Sequence, residues 1–190
     1  LWFDKPAAQW EAALPLGNGR LGVMVYGGVA KETLQLNEDT FWAGGPHNNL
    51  NPAALGSLAE IRRLISAGDY TTASNLAEKN ITSQGSQGMP YQTAGQLTLD
   101  FQGHEKYQHY YRDLDIGNAI ARTRYSIGDV NYEREVFSSF VDQVIVVRLS
   151  ASKKNALNFT LGLSHPDQMP SQADALKGTL LMQGQSIDHE

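Results

Sequence analysis

The 190-residue sequence contains no cysteine, which excludes a disulfide framework and any thiolate metal site. No apolar run approaches the roughly 20 residues needed to span a bilayer. Basic residues are outnumbered, 15 against 20 acidic, and the longest basic runs are the pairs Arg62-Arg63 and Lys153-Lys154. A net charge of -5 without a basic patch argues against a nucleic-acid partner, because phosphate tracking needs clustered Lys and Arg. The opening LWFDKP has neither Met nor a secretory signal, so any targeting segment is expected upstream or already removed. The chain therefore reads as a piece of something larger. What is present is an ordinary globular composition, 41% hydrophobic and 18% charged, enough for one packed domain.

Period-two patterning dominates. Leu21 to Tyr26 and Thr33 to Leu36 are short strand signals. Leu97, Leu99 and Phe101 share one phase, and Ala119, Ala121, Thr123, Tyr125 and Ile127 alternate with Arg122, Arg124 and Ser126. Gly128-Asp129 turns that strand into Val130 to Phe140. Gln143 to Leu149 has the composition of a strand buried on both faces, and Leu157 to Leu163 alternates again. Between these lies one helical stretch. Asn51 is placed as an N-cap with Pro52 at the first helical position, and Leu55, Leu58, Ile61 and Ile65 recur at helical spacing. Gly68 ends that helix, Asp69 caps a second running to about Lys79, and SQGSQGMP at 83–90 is a loop. The expected fold is mainly β: a large antiparallel β-supersandwich with a short helical insertion at about residues 51–80.

The stretch LPLGNGRLGVMVYGG contains a literal G-x-G-x-x-G at Gly17, Gly19 and Gly22. A dinucleotide fingerprint needs a helix directly after the glycines, so that its N-terminal amides meet the pyrophosphate. Here a β-prone run follows, Val23-Met24-Val25-Tyr26, and no cofactor is expected. Asn18-Gly19 reads instead as the centre of a two-residue hairpin turn. Further on, QLNEDTFWAGGP gathers Asn37, Glu38, Asp39 and Trp42 before a break at Gly44-Gly45-Pro46. An indole with amides and carboxylates suits a sugar, whose C–H face stacks on a ring while its hydroxyls bond polar groups. The same residues also suit a capped strand end.

Other residues offer little chemistry. His104 and His109 lack a zinc spacing, so no metal is expected. Ser139, Ser150 and Ser152 lack the glycines of a nucleophile elbow. Tyr107, Tyr110 and Tyr111 form a cluster that either packs at a sheet edge or binds sugar. Asn80-Ile81-Thr82 and Asn158-Phe159-Thr160 are glycosylation sequons, relevant only in a eukaryotic secretory route. Two carboxylates sharing general acid/base work must face one substrate from the same site. Glu38 and Asp39 point to opposite faces of a strand, and Glu133 and Glu135 flank Arg134 as on a solvated sheet. No catalytic residue is expected in this chain.

Four segments, LPLGNGRLGVMVYGG, ETLQLNEDTFWAGGP, YQTAGQLTLDF and the run from Tyr111 to Leu149, resemble in order and spacing the N-terminal domain of glycoside hydrolase family 95. These are α-L-fucosidases, with some members acting on α-L-galactosides. The resemblance extends to about His165. It implies an N-terminal sandwich over residues 1–190, truncated before its last strands, with the catalytic (α/α)6 barrel in the rest of the polypeptide. The implied parent is an inverting, exo-acting enzyme, and its general acid and water-activating residues belong to the barrel. The implied partners are that barrel and a fucosylated glycan, and the implied location is periplasmic or extracellular, in a bacterium. Asn18, Arg20, Glu38 and Trp42 are the residues expected to face barrel or substrate, with a purely structural role as their alternative. The competing reading is an autonomous carbohydrate-binding module, using Trp42 or the Tyr107 to Tyr111 cluster.

Overall fold

The computed structural model describes residues 1–43, 48–83 and 91–185. The Gly44-Gly45-Pro46 break, nearly all of the SQGSQGMP loop and the final Ile187 to Glu190 lie outside them. Two compact units form, one from Leu1–Phe41 with residues 92–185, the other from the described residues between Trp42 and Tyr91.

The first unit holds two five-stranded antiparallel sheets and a hairpin. In chain order its strands are β1 (Trp2–Phe3), β2 (Leu14–Gly17), β3 (Leu21–Val25), β4 (Lys31–Glu38), β5 (Gly95–Asp100), β6 (Gln108–Asp115), β7 (Ile120–Ile127), β8 (Val130–Ser139), β9 (Val144–Ala151), β10 (Thr160–Ser164), β11 (Ser171–Asp174) and β12 (Thr179–Met182). One sheet runs β1-β6-β7-β8-β9 and the other β10-β5-β4-β3-β2, with β11 and β12 as the separate hairpin. The inner faces meet in one core: Leu14, Leu16, Val23, Val25, Leu34, Leu99 and Phe101 from one sheet and its flank, Ala121 and Val136 from the other. Alternation produces this directly, since residues of one phase share a face. The expected antiparallel sandwich is what forms.

Several local expectations are corrected. The two-residue turn between β2 and β3 is centred on Gly19-Arg20. Asn18 precedes it, its N–H bonding the Leu21 carbonyl at 3.0 Å, and Gly19 carries the positive φ of 91°. A first central glycine with φ > 0 is the type II′ pattern. Gln143 to Leu149 is not buried on both faces. As β9 it turns only one face toward the other sheet, so Ile145, Val147 and Leu149 pack on the core while Val144 is exposed. Leu157 and Phe159 precede β10, which ends its sheet, and Leu161 is exposed there. Ser126 is buried despite its place in the polar phase, because β6 bulges between Gln108 and Tyr111 and its hydroxyl is enclosed by His109 Nδ1 at 2.9 Å and the Gln108 carbonyl at 3.3 Å.

The second unit contains α1 (Ala54–Ser66) and α2 (Tyr70–Asn80). Asn51 caps the turn before α1 rather than α1 itself. Its side chain accepts from Ala53 N, its carbonyl accepts from Ala54 N, and Pro52 lies within that turn. The buried face of α1 is Ile61 with Leu64, packed against Ala73, Leu76 and Ala77 of α2. Leu55 and Ile65, expected inside, are exposed because this contact is narrow and rotated by one residue. Gly68 ends α1 with φ 80°, and Asp69 caps α2 by accepting from Thr72 N at 3.1 Å.

Candidate functional site

The β2–β3 turn is built around one amide. Asn18 Oδ1 accepts from Leu21 N at 2.7 Å and Arg20 N at 3.1 Å, which fixes the turn from inside. Its Nδ2 donates to the Ser139 carbonyl at the end of β8, 2.8 Å away. Asn18 is only 8% exposed, so three hydrogen bonds leave its amide one unused position. It ties the turn of one sheet to a strand end of the other.

Next to it, Arg20 projects outward. Its Nε donates to Glu38 Oε1 at 2.9 Å, which joins the start of β3 to the end of β4, where Leu21 pairs with Glu38. The other oxygen of Glu38 accepts from Thr40 Oγ1 at 2.6 Å and Thr40 N at 2.9 Å. The Thr40 hydroxyl first, then Arg20 and the Thr40 N–H, hold the Glu38 carboxyl down at about 2. An ionised, fully engaged carboxylate accepts hydrogen bonds but has no proton to give as a general acid at neutral pH.

Of the expected residues, the structure brings Asn18, Arg20 and Glu38 together. Trp42 belongs to the second unit, where its ring is half-exposed and meets Tyr91 edge-on, with centroids 5.2 Å apart. The tyrosine cluster divides by strand alternation. Tyr110 points inward and donates to the Gly27 carbonyl at 2.6 Å, with Tyr107 beside it, whereas Tyr111 turns outward and stacks on Trp2. Glu133 and Glu135 lie on the outer face, bonded to Arg124, and to Arg122 and Arg148, as a solvated sheet requires. His104 is buried: its Nδ1 meets the Tyr125 hydroxyl at 3.0 Å and its ring packs on Phe101 and Tyr132.

A buried ion pair was not anticipated. Glu32 of β4 and Arg134 of β8 pair between the sheets, 1% and 3% exposed. Glu32 also accepts from Gly27 N at 2.8 Å and Thr33 N at 3.1 Å. Arg134 donates to the Val29 carbonyl at 3.0 Å and lies over the Phe101 ring, 4.9 Å from its centroid. Burial pushes the Glu32 carboxyl up, against the opposing pull of Arg134. Arg112 is a second buried cation, donating from Nε to the Lys5 carbonyl at 2.8 Å with its guanidinium over Phe3. Sealed between the sheets, Glu32 can brace the fold but cannot reach a substrate. The signal for all three was phase: Glu32 shares a strand face with Leu34, Arg112 with Tyr110 and Leu114, and Arg134 with Tyr132 and Val136.

Residues 1–190 match the family described as "Glycosyl hydrolase family 65, N-terminal domain". The chain belongs to this family. Its curated relatives include "Alpha-L-fucosidase 2" of Arabidopsis thaliana, 39% identical over 187 residues, covering 97% of this chain and 22% of that protein. "Probable alpha-fucosidase A" of Aspergillus niger is 35% identical over 181 residues, covering 90% of the chain and 22% of the relative. The protein of the same name from Aspergillus oryzae is 34% identical over 162 residues, with 80% and 22% covered. The family domain thus spans 22% of the length of the relatives it matches. Among its described residues, no helix is long and apolar enough to cross a membrane.

Proposed function

We propose that this family domain is the non-catalytic sandwich of an exo-acting, inverting glycoside hydrolase that removes α-L-fucosyl units from glycans. Its β2–β3 turn packs on a catalytic (α/α)6 barrel in the same polypeptide and helps wall the active site. The observation that carries the reading is the match across 97% of the chain to a protein named for fucosidase activity. The site chemistry agrees with it. Glu38 is held ionised and Glu32 is sealed behind Arg134, so neither serves as the acid that glycoside cleavage needs. Meanwhile Arg20, 58% exposed on a turn locked by Asn18, presents a guanidinium outward. Arg suits a polar interface and the hydroxyls of a sugar.

A periplasmic or extracellular setting is part of the proposal, because exogenous glycans are met there. Export of the natural precursor, followed by cell fractionation, tests that placement. Activity is tested with the full-length protein on an aryl α-L-fucoside, following the anomer first released by NMR. Release of the β-anomer is expected; no release of fucose sinks the reading.

One observation favours a second role, glycan binding by the module itself. The half-exposed Trp42 ring is braced edge-on by Tyr91, as a stacking platform would be. Saturable binding of a fucosylated oligosaccharide that disappears in Trp42→Ala would favour it.

A further inference from the structure

The outer face of the β1-β6-β7-β8-β9 sheet carries an arrangement that the turn site does not use. Trp2 of β1 pairs with Asp113 of β6, which places its indole on the outer face beside Tyr111. The two rings lie within 18° of parallel, with centroids 6.2 Å apart, and Trp2 is 67% exposed. Stacked on each other, they make one aromatic shelf at the sheet edge.

Next to the shelf the face becomes polar and concave. Tyr111 pairs with Arg124, Arg124 with Glu133, and Glu133 with Ser150, so one row runs from the shelf across four strands. That row opens into a cavity of about 430 Å³ lined by His109, Arg124, Asn131, Glu133, Ser150 and Ser152. Its size falls within the range of small-ligand clefts, about 300–1,000 Å³. His109 reaches this rim through the β6 bulge, held at φ 51°, a conformation unusual for a non-glycine residue. Its Nδ1 contact with Ser126 Oγ fixes the ring. Bulges that re-aim a side chain, and residues kept in sparsely populated backbone regions, concentrate at ligand sites.

Arg124 and Glu133 cancel within the cavity, whereas the face beyond it is acidic, with Arg122 and Arg148 set against Asp113, Asp115 and Glu135. Arg124 is bonded to Glu133, and Arg122 meets Asp113 and Asp115 at 3.2 Å and Glu135 at 3.5 Å. Within the cavity Arg124 and Glu133 leave no net charge to select an ionic ligand, while Asn131, Ser150 and Ser152 supply neutral donors and acceptors. A stacked, exposed aromatic pair beside fixed donors and acceptors suits a neutral sugar, with its C–H face on the pair and its hydroxyls on the polar row. We propose that this face is a binding site for a neutral oligosaccharide, with a sugar unit against the stacked Trp2–Tyr111 pair and the chain continuing into the His109–Arg124–Glu133 cavity. The proposal does not depend on the fucosidase reading.

The test is affinity electrophoresis of the full-length protein through gels containing soluble dextran or polyacrylamide bearing 2′-fucosyllactose. Retardation in at least one is expected. Apparent affinity should fall about tenfold in Trp2→Ala and in Tyr111→Ala. Tyr111→Phe, which keeps the ring, should be retarded like the parent, separating stacking from loss of fold. Absence of retardation in both gels, the result if other parts of the polypeptide cover this face, overturns the proposal. Equal retardation of the parent and both alanine variants overturns it as well. Cleavage of an aryl α-L-fucoside is read separately, so loss of that activity with retardation intact would sink the functional reading and leave this one standing.

Discussion

Asn18 and Ser139 stand 121 residues apart, yet the Asn18 amide donates to the Ser139 carbonyl at 2.8 Å and so fixes one sheet's hairpin turn to the other sheet's strand end. The same side chain accepts from Arg20 N and Leu21 N. Asn18→Ala therefore strands buried backbone groups on both sheets and should destabilise the domain by about 1–3 kcal/mol. Asn18→Asp keeps the acceptor for the turn but sets a buried carboxylate oxygen against the Ser139 carbonyl, so it too should be less stable than the parent at neutral pH. Urea denaturation of the three proteins checks both losses, and an alanine variant as stable as the parent would contradict the account of the turn.

The Glu32–Arg134 pair should respond to single and double replacement in opposite ways. Removing one partner leaves a buried charge uncompensated, so Arg134→Met alone or Glu32→Leu alone should each lose about 3–5 kcal/mol. Apolar replacement of both avoids that penalty, and the double variant should be more stable than either single one. A double variant less stable than both singles would show that the pair's other bonds, to Gly27, Thr33 and Val29, outweigh its desolvation.

Glu38 gives a pH signature. Its carboxyl is depressed in the fold from 4.5 to about 2, by Thr40 and then Arg20. A depressed carboxyl contributes stability above its unfolded value and loses it as pH falls through the folded one. The melting-temperature gap between parent and Glu38→Gln should therefore be full above about pH 4.5 and close as pH approaches 2. A gap independent of pH across that window would rule out an ionised Glu38 as its source.

Sheet edges bear on association. Strands β9 and β10 each end their sheet, with Val144 and Leu161 exposed on them and Phe159 exposed just before β10. Edges of this kind template further pairing. The 190-residue chain on its own should self-associate at micromolar concentration in sedimentation analysis, and a stable monomer would refute this.

The strand rhythm was legible because one buried face per strand writes a period of two. Leu97, Leu99 and Phe101 are the plainest case, and all lie in or against the core. The turn site was half-legible. Asn18, Arg20 and Glu38 were marked out by sequence and prove to be neighbours, but which two residues form the turn centre depends on backbone pairing that Asn-Gly composition alone does not fix. The Glu32–Arg134 pair was hidden because its members are 102 residues apart and charged side chains in a strand ordinarily mean solvent. Their place in the apolar phase was the overlooked clue. Helix α1 was misjudged by one residue because Leu64 and Ile65 are equally apolar and only the partner helix selects between them.

The central claim, that this non-catalytic turn shapes an active site supplied by the rest of the polypeptide, is tested most directly by kcat/KM of the full-length protein on an aryl α-L-fucoside, with and without Arg20→Ala. The account predicts fucose release by the parent and a fall of about tenfold in the variant, equivalent to about 1.4 kcal/mol of transition-state stabilisation, with the melting temperature little changed. An unaltered kcat/KM in Arg20→Ala would contradict it.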